Sequence, residues 1–230
     1  QTFETDYAPA RTAYWHGVTT NLVARLHSGI NIQAGTTTGR GVVNNCALYT
    51  ALPEADVLVC NAPGISIAVR AADCVPLLIA DGRRACVAAV HAGWRGTAAR
   101  AAVAAVEALA TEFGARARDL VAAIGPAIGS CCYEVGPELV DAFAAAGHER
   151  YLIDRWFLAP PPPRGSRERP KMRLDVAGAN RDQLILAGVR EENIHVAGLC
   201  TAMHLDVLTS YRVEKEEAGR IAGVIVCGNR

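Results

Sequence analysis

Two side chains capable of metal or nucleophilic chemistry stand at the ends of apolar segments. Cys74 precedes the run Val-Pro-Leu-Leu-Ile-Ala, and His91 follows the run Cys-Val-Ala-Ala-Val and precedes the turn Ala-Gly-Trp-Arg-Gly. Both runs have the residue types of strands, so the thiol and the imidazole are expected at strand ends, where scaffolds commonly carry chemistry. The two residues are 17 positions apart, too far for a local chelate, so neighbouring strands must bring them together. Such a pair can ligate a transition metal or act as a nucleophile and its base.

The elements that must position these side chains are both strands and helices. Short apolar runs predict strands, and longer segments with apolar residues at helical spacing predict helices. The predicted strands are 56–60, 65–70, the segment beginning at Cys74, the segment ending at His91, 121–124, 193–197 and 224–227. The predicted helices are 97–113, 137–146 and 174–187. We therefore predict a mixed α/β (α+β) fold in one domain over 1–230, with an exposed proline- and arginine-rich excursion at about 158–171.

Length and composition restrict the class of protein and its partners. The chain has 230 residues, 51% of them hydrophobic, which is enough for one sizeable core. Its 23 Lys and Arg balance 23 Asp and Glu, so we expect no nucleic-acid or anionic-membrane partner. Every apolar run is far shorter than the roughly 20 residues that cross a bilayer, and we expect a soluble, cytoplasmic protein. The first residue is Gln1 and not methionine, so we expect that the natural start precedes it.

The eight cysteines are predicted to be mostly reduced. A chain of this length does not need disulfide staples, and Cys60, Cys86 and Cys227 occur in strand-like segments where a free cysteine packs as a small hydrophobe. The adjacent residues Cys131 and Cys132 cannot bridge comfortably, so packing or weak redox sensitivity is expected of them.

Several uncommon motifs occur together between about Ala55 and the C-terminus. They are Ala72-Asp-Cys74, His91-Ala-Gly-Trp-Arg-Gly96, Ile124-Gly-Pro-Ala-Ile-Gly129, Cys132-Tyr-Glu-Val-Gly136, Leu174-Asp175, Asn180-Arg181, Cys200-Thr201, Ser210-Tyr-Arg212 and Gly219-Arg220. In this order they resemble the YfiH-like family, whose members have been called laccase-domain or polyphenol oxidoreductase proteins and zinc purine nucleoside phosphorylases. The resemblance implies a four-layer arrangement of two packed mixed sheets covered by helices.

The resemblance also implies a zinc ion held by one thiolate and two imidazoles. It assigns ligation to Cys74, His91 and His27, the last in the segment Arg-Leu-His-Ser-Gly. That segment is similar to the family's Gln-Val-His-Gly motif, with Arg25 in place of glutamine, and His16 is the competing third ligand. The region that precedes the histidine motif is shorter than in the family. A site with three protein ligands keeps one coordination position open, as catalytic zinc sites do.

Polar residues in the same motifs are candidates for contacts with a substrate. Arg95 can bind phosphate or a carboxylate through its guanidinium, or form a salt bridge at the start of a helix. Arg70 and Asp73 flank the start of the Cys74 strand and can orient a substrate or a ligating imidazole. Glu134 is a candidate for substrate binding and for acid–base work.

Three further side chains have both a functional and a structural interpretation. Tyr133 and Trp94 can form a flat apolar wall for a base, or pack in the core. Asp175 can do acid–base work or cap a helix.

The resemblance therefore predicts a zinc-dependent enzyme that phosphorolyses purine nucleosides such as adenosine and inosine, with adenosine deamination as an additional activity. The catalytic candidates are Cys74, His91 and Arg95, and the partners are a purine nucleoside and phosphate. Three alternatives stay open: a copper-dependent polyphenol oxidase, a Cys-His hydrolase acting on cell-wall precursor peptides, and a non-catalytic metal-binding protein. The first alternative needs clustered histidines, whereas the six in this chain are dispersed.

Overall fold

The computed structural model describes residues 42–44, 55–159 and 172–228. Its strands are β1 (Val42–Asn44), β2 (Val57–Cys60), β3 (Ser66–Ala71), β4 (Val75–Asp81), β5 (Cys86–Ala92), β6 (Val121–Ile124), β7 (Glu134–Val135), β8 (Phe157–Leu158), β9 (Met172–Leu174), β10 (Ile194–Val196) and β11 (Ile221–Val226). Its α-helices are α1 (Trp94–Ala98), α2 (Ala101–Phe113), α3 (Pro137–Ala145), α4 (Arg150–Trp156), α5 (Val176–Leu186) and α6 (Tyr211–Glu214). Short 3-10 helices cover Ala117–Asp119, Glu191–Asn193, Thr201–Met203 and Lys215–Glu217. In these parts of the chain, no helix combines the length and the apolar character that crossing a membrane requires.

A six-stranded mixed sheet forms the centre of the structure. Its strand order is β1-β2-β5-β4-β6-β10. Strand β5 runs antiparallel to both β2 and β4, and β4 runs antiparallel to β6, whereas the outer pairs β1–β2 and β6–β10 are parallel. The two strands predicted next to Cys74 and His91 are therefore direct neighbours at the middle of this sheet.

The central strands are continuous apolar runs because both faces of the sheet are covered. Leu77 and Ile79 of β4 belong to one core together with Leu109 of α2. Leu78, between them, belongs to a second core with Ile67 of β3. Since successive strand residues point to opposite faces, helices cover one face and the two-stranded antiparallel sheet of β3 and β11 covers the other. The two-stranded sheet itself shows alternating burial along β3, as expected for a layer with one buried face.

The predicted mixed α/β fold is confirmed. Each predicted strand and the two later helices are present, with ends that differ by at most three residues. The described residues form the central sheet, the two-stranded sheet, a three-stranded sheet of order β7-β9-β8 and the helices. They do not confirm the four-layer arrangement that the resemblance implied.

The helix predicted over 97–113 is wrong in one respect, because it is two helices. The chain breaks between α1 and α2 at Arg100, which adopts the left-handed conformation with φ 62°. The carbonyl oxygen of Ala98, at the end of α1, lies 2.8 Å from Nε2 of the buried His148. In a continuous helix this carbonyl oxygen would accept a hydrogen bond from the backbone N–H four residues later, but here it contacts the imidazole of His148. The short helix α1 is thereby free to present Trp94 and Arg95 near the end of β5.

The exposed excursion predicted at about 158–171 falls mostly outside the described residues, and its first residue belongs to a strand. Leu158 pairs with Arg173 as part of β8, and residues 160–171 lie outside the described residues. The preceding helix α4 was not predicted. Its Trp156 is buried and donates a hydrogen bond from Nε1 to Oδ2 of Asp182 over 2.9 Å, so this segment is anchored to α5.

Candidate functional site

The register of three neighbouring strands brings the candidate catalytic side chains together. Strand β4 pairs with β5 so that Pro76 lies opposite His91, which places Cys74 at the same end of the sheet. Strand β2 pairs with the other side of β5, and its register continues to place Asp56 beside His91. The amide N–H of His91 donates to the carbonyl oxygen of Asp56 over 2.8 Å. The Cys74–His91 juxtaposition predicted from the strand pattern is therefore present.

Asp56 also orients the imidazole of His91. Its Oδ1 lies 3.1 Å from Nδ1 of His91, and the two side chains are 2% and 12% exposed. Burial acts to lower the pKa of His91, but the hydrogen bonds with Asp56 and Cys74 and their electrostatic attraction outweigh it, and the pKa is raised to about 9. With Nδ1 facing the carboxylate, Nε2 is the nitrogen left for another ligand.

The absence of a side chain at Gly93 makes room for the thiol of Cys74. A Cβ atom on Gly93 would lie 2.9 Å from Sγ of Cys74 and 3.8 Å from Cε1 of His91. The first distance is too short for ordinary packing, so the glycine is required for the sulfur to occupy this place. The thiol and the imidazole therefore converge on one point at the start of α1.

Cys74 and His91 fit a transition-metal site by the chemistry of their donors. A thiol and an imidazole are the ligand types that zinc and copper prefer. A carboxylate behind the imidazole, here Asp56, is the usual partner of a metal-ligating histidine. The other two predicted ligands, His27 and His16, lie outside the described residues, so the identity of the third ligand stays a prediction.

A cavity opens beside Cys74. Its walls are Ala72, Asp73, Cys74, Gly93, Trp94, Ile128, Tyr133, Val176, Tyr211 and Arg212. Three of these ten residues are aromatic, and one is an arginine. Trp94 and Tyr133, for which a substrate wall and core packing were both open, line the cavity and also pack against the core.

Asp73 ties three segments of the cavity wall together. Its Oδ1 accepts a hydrogen bond from Oγ1 of Thr201, and its Oδ2 accepts one from the backbone N–H of Arg212, both over 2.6 Å. Its carbonyl oxygen accepts from the N–H of Ile128 over 2.9 Å. Asp73 has φ 79°, a conformation that aspartate tolerates better than most residues. Both of its carboxylate oxygens thus hold the site's framework.

Two arginines differ in their relation to the cavity. Arg212 lines it, donates from NH1 to the carbonyl oxygen of Glu134 over 3.0 Å, and places its Cζ 5.2 Å from the ring centroid of Tyr133. Arg95 is exposed, and its Cζ stacks 4.4 Å from the ring centroid of Trp94. Arg95 is not among the residues that line the cavity, so of these two arginines only Arg212 lines it.

The remaining predicted site residues lie around the cavity. Arg70 is exposed on β3, opposite Ala222 in the two-stranded sheet, and does not line the cavity. Glu134 contributes its backbone oxygen to Arg212 and belongs to β7. Asp175 caps α5 by accepting a hydrogen bond from the N–H of Gly178 over 2.8 Å, which confirms its structural interpretation.

Sequence reasoning missed two residues of the site, Asp56 and Arg212. Asp56 is an acidic residue at the head of the apolar run Val-Leu-Val-Cys, and a buried carboxylate there signals a specific partner. Arg212 occurred in the motif Ser-Tyr-Arg without an assigned role. Its cavity position depends on the bond to Asp73, a residue 139 positions away, which no local pattern indicates.

Comparison with known proteins places the chain in a family. The family model described as multi-copper polyphenol oxidoreductase laccase matches residues 11–228. A purine nucleoside phosphorylase of Bacteroides thetaiotaomicron is 35% identical over 172 residues, which cover 74% of this chain and 60% of that protein. The adenosine deaminase RL5 of an unknown prokaryotic organism is 40% identical over 151 residues, which cover 66% of this chain and 54% of that protein.

A solved structure supports the same relationship. The crystal structure of the hypothetical protein YfiH from Bacillus licheniformis is similar with a TM-score of 0.72 and 30% identity, over 85% of this chain and 73% of that one. The chain spans only about three fifths of the length of the curated relatives it matches, 60% in the Bacteroides case. Family match, sequence identity and fold agree, and the chain belongs to the YfiH-like family, whose model is described as multi-copper polyphenol oxidoreductase laccase.

Proposed function

We propose that this protein is a zinc-dependent purine nucleoside phosphorylase acting on adenosine, inosine and related nucleosides. The observation that carries the proposal is the convergence of Cys74 and His91 beside a cavity whose lining includes three aromatic residues and Arg212. The relative from Bacteroides thetaiotaomicron, named a purine nucleoside phosphorylase, supports the choice of reaction.

The zinc ligands in this proposal are Cys74, His91 and a histidine of the N-terminal region, His27 or its competitor His16. Asp56 keeps the imidazole of His91 in one orientation and one tautomer. When bound, zinc supplies Lewis-acid polarisation of the ligand in its open coordination position.

Phosphorolysis requires positioning more than covalent chemistry from the protein. An oxygen of phosphate forms a bond to the anomeric carbon of the ribose while the carbon–nitrogen bond breaks, and the bonding pair leaves with the purine, which takes up a proton. The transition state resembles an oxocarbenium ion, so a well-placed anion and a well-held base lower its free energy. The site must therefore hold both reactants at once.

The described side chains can divide these tasks. Tyr133 and Trp94 offer flat faces on which a purine can stack. The guanidinium of Arg212 offers a planar donor pair for phosphate, and its backbone is held by Asp73. Arg95, from the exposed side of Trp94, is a second candidate for contact with phosphate.

The other predicted contacts have a less direct basis. Glu134 reaches the cavity through its hydrogen bond to Arg212, which suits a positioning role. Arg70 does not line the cavity. It would therefore contact only a part of the substrate that extends beyond the cavity.

Adenosine deamination is a second candidate activity for the same site. The similarity to adenosine deaminase RL5, at 40% identity, favours it. Deamination replaces the exocyclic amine of the purine by an oxygen from water and releases ammonia. It does not consume phosphate, so the two activities can be separated by the requirement for phosphate.

The test combines metal analysis with an assay on purified, reduced protein. Elemental mass spectrometry measures zinc and copper per chain, and base and ammonia release from adenosine are followed with and without phosphate. We expect zinc and phosphate-dependent release of the base in the parent protein, and loss of one equivalent of zinc together with base release in Cys74→Ser and His91→Ala. Cys86→Ala, at the opposite end of β5, and His195→Ala, at an exposed position of β10, are the matched controls and should retain both.

Other outcomes assign the alternatives. Phosphate-independent base release that survives removal of metal and disappears with Cys74→Ser would make the thiol a nucleophile and overturn the zinc mechanism. Copper with phenol oxidation and no nucleoside turnover would favour the oxidase. Folded protein with bound metal and no turnover of any of these substrates would leave a metal-binding role.

A further inference from the structure

Two segments that are far apart in the sequence bring three cysteines together. Cys131 and Cys132 belong to a turn after β6, in which the N–H groups of Cys132 and Tyr133 both donate to the carbonyl oxygen of Gly129 over 2.9 Å. Cys200 follows β10. The sulfur atoms of Cys131, Cys132 and Cys200 all lie within 4.8 Å of one another. Among the described residues, no other group of three or more Cys, His, Asp or Glu brings its ligand atoms this close together.

Backbone pairing holds the two segments in place. Ala127 and Cys200 form a parallel β-bridge, and the N–H of Thr201 donates to the carbonyl oxygen of Ala127 over 3.0 Å. The absence of a side chain at Gly129 allows the two segments to approach each other. A Cβ atom there would lie 3.2 Å from Sγ of Cys131 and 3.2 Å from Cβ of Cys200. The close approach of the sulfurs is therefore built by the backbone and does not depend on side-chain packing alone.

The environment of the three sulfurs differs from that of an inert buried thiol. The N–H of Gly129 donates to Sγ of Cys200 over 3.2 Å. Burial opposes ionisation of Cys200, but this bond, a bond with Cys131 and the N–H groups of Ala202 and Met203 outweigh it and lower the pKa of its thiol. Burial and the hydrogen bonds and charges of Cys131 and Cys200 raise the pKa of Cys132 to about 12.

The opposite pKa shifts of Cys200 and Cys132 follow from electrostatics. Three sulfurs this close cannot all carry negative charge unless a cation lies between them. The N–H of Gly129 already donates to the sulfur of Cys200. Cys131 is exposed and Cys132 and Cys200 are half-buried, so a metal ion can reach the group from solvent.

We propose that Cys131, Cys132 and Cys200 form a second metal site that binds a thiophilic d10 cation, zinc(II) or copper(I), through three sulfur atoms. Thiolates select zinc and copper(I) over hard cations such as magnesium or calcium. On binding, each sulfur forms a bond to the metal and its thiol proton goes to solvent, with no change in oxidation state. The site is separate from the Cys74–His91 pair and does not depend on the proposed phosphorylase activity.

The position of this site gives it a structural consequence. Cys132 is followed by Tyr133, a cavity wall, and Cys200 by Thr201, which donates to Asp73. A metal bound to both segments would join the residues that lead into Tyr133 and Thr201. The bound form should therefore resist unfolding better than the metal-free form, since the ion binds the folded protein only.

The test removes the other metal site first. Reduced, metal-free Cys74→Ser protein is titrated with cadmium(II) as a spectroscopic stand-in for zinc, and thiolate-to-metal charge-transfer absorption is followed in the ultraviolet. Zinc(II) and copper(I), the latter delivered from a competing chelator, are then used to displace it. We expect one equivalent per chain to bind, with an intensity that matches three thiolates.

Single substitutions distinguish a built site from scattered thiols. In the Cys74→Ser background, Cys200→Ser and Cys131→Ser should weaken binding at least about 100-fold, because loss of a ligand costs more than loss of a residue behind one. Cys131 is exposed, so its variant is expected to fold even if Cys200→Ser does not. Cys86→Ala is the control and should bind as its parent does.

Three results would overturn the proposal. They are no cadmium absorption in the reduced Cys74→Ser protein, equal affinity in the Cys131→Ser and parent proteins, and an intensity that corresponds to a single thiolate. The relative affinities for zinc(II) and copper(I) then decide which of the two cations the site takes. The Cys74→Ser background lacks the proposed catalytic ligand set, so the absence of metal binding at the three cysteines would leave the phosphorylase proposal unaffected. Equally, the absence of phosphorylase activity would leave the proposed three-cysteine site unaffected.

Discussion

The carboxylate of Asp56 lies 3.1 Å from Nδ1 of His91, and this buried contact fixes the imidazole at the end of the central strand β5. The two residues are 35 positions apart, and the antiparallel register of β2 and β5 brings them together. A histidine held in this way loses little rotational freedom when its other nitrogen binds a metal. Asp56 is thus a positioning residue for the proposed ligand pair.

Replacing Asp56 by asparagine should weaken metal binding at the Cys74–His91 site by about 10- to 100-fold, the usual cost of removing a partner behind a metal-ligating histidine. The amide cannot stabilise the imidazole as a carboxylate does, and the pKa of His91 should fall from its raised value. Metal affinity is measured by competition with a chelator, in the Cys131→Ser background so that only this site is counted.

Asp81→Asn is the matched control for that substitution. Asp81 is equally buried, at the far end of β4, where its Oδ1 accepts from the N–H groups of Arg83 and Arg84 over 2.8 and 3.2 Å. Its replacement should lower stability without changing metal affinity. Equal affinity losses in both variants would show a general loosening of the sheet and contradict the role of Asp56.

Gly93→Ala should displace the thiol of Cys74 while leaving the fold intact. The new Cβ would lie 2.9 Å from Sγ, but Gly93 has φ −72°, which alanine adopts without strain. We expect at least about a tenfold loss of metal affinity with less than about 1 kcal/mol lost from the free energy of unfolding, the cost typical of an N-cap change. Both are measured on one preparation, by chelator competition and urea unfolding.

Gly82→Ala tests whether that loss comes from the contact. Gly82 lies in the turn between β4 and β5, and a Cβ there would meet nothing within 4 Å. This variant should bind metal as the parent protein does. Unchanged affinity in Gly93→Ala would mean that the sulfur has room to move and that the convergence of Cys74 and His91 is less constrained than the structure indicates.

The sequence was informative where function depends on local order. The strand ends at Cys74 and His91, and the helix cap at Asp175, follow from short patterns of apolar and turn residues. The break at Arg100 was not predictable in this way, because it depends on His148, a residue 50 positions from its partner Ala98. Asp56 was missed for the same reason, since its partner becomes adjacent only when β2 pairs with β5.

The cysteine group shows the same division between local and distant information. The adjacency of Cys131 and Cys132 is visible in the sequence and correctly argued against a disulfide, and all seven cysteines in the described residues are free. That Cys200 joins them depends on the bridge to Ala127. A pair in sequence becomes a group of three only through the packing of the segments that follow β6 and β10.

Asp73→Ala should both destabilise the protein and weaken the binding of phosphate. It removes the acceptors of Thr201 and of the Arg212 backbone N–H, and it places alanine at φ 79°, so we expect a loss of about 2–4 kcal/mol in the free energy of unfolding. Release of Arg212 should raise the KM for phosphate more than it lowers kcat. Urea unfolding and initial rates at varied phosphate measure the two effects.

Asp73→Asn separates the contribution of the two hydrogen bonds from that of the backbone. Asparagine tolerates the left-handed conformation and keeps one side-chain acceptor, so stability and KM should lie between those of the parent and Asp73→Ala. A phosphate KM that is unchanged in both variants would exclude Arg212 as a phosphate ligand held by Asp73.

Cys86 should make the protein sensitive to alkaline pH. Burial, followed by the negative charge of Asp81 and the neighbouring Cys227, raises its pKa from 9.0 to about 12 against the opposing effect of Arg84. Below pH 9 the thiol is protonated in both states and its stabilising effect is fully present; between pH 9 and 12 the unfolded chain releases a proton that the folded protein retains, so stability falls as the pH rises. The slope from this group is at most about 1.4 kcal/mol per pH unit.

Cys86→Ala removes that proton release, so its free energy of unfolding should fall less steeply than the parent's as the pH rises through this window. Below pH 9 the variant should be the less stable of the two, because a buried sulfur is replaced by a smaller group, and the difference should narrow above it. Urea unfolding on both sides of pH 9 measures the two slopes. Parallel slopes would mean that Cys86 ionises in the folded protein as readily as in the unfolded chain, which its burial between β4 and β2 argues against.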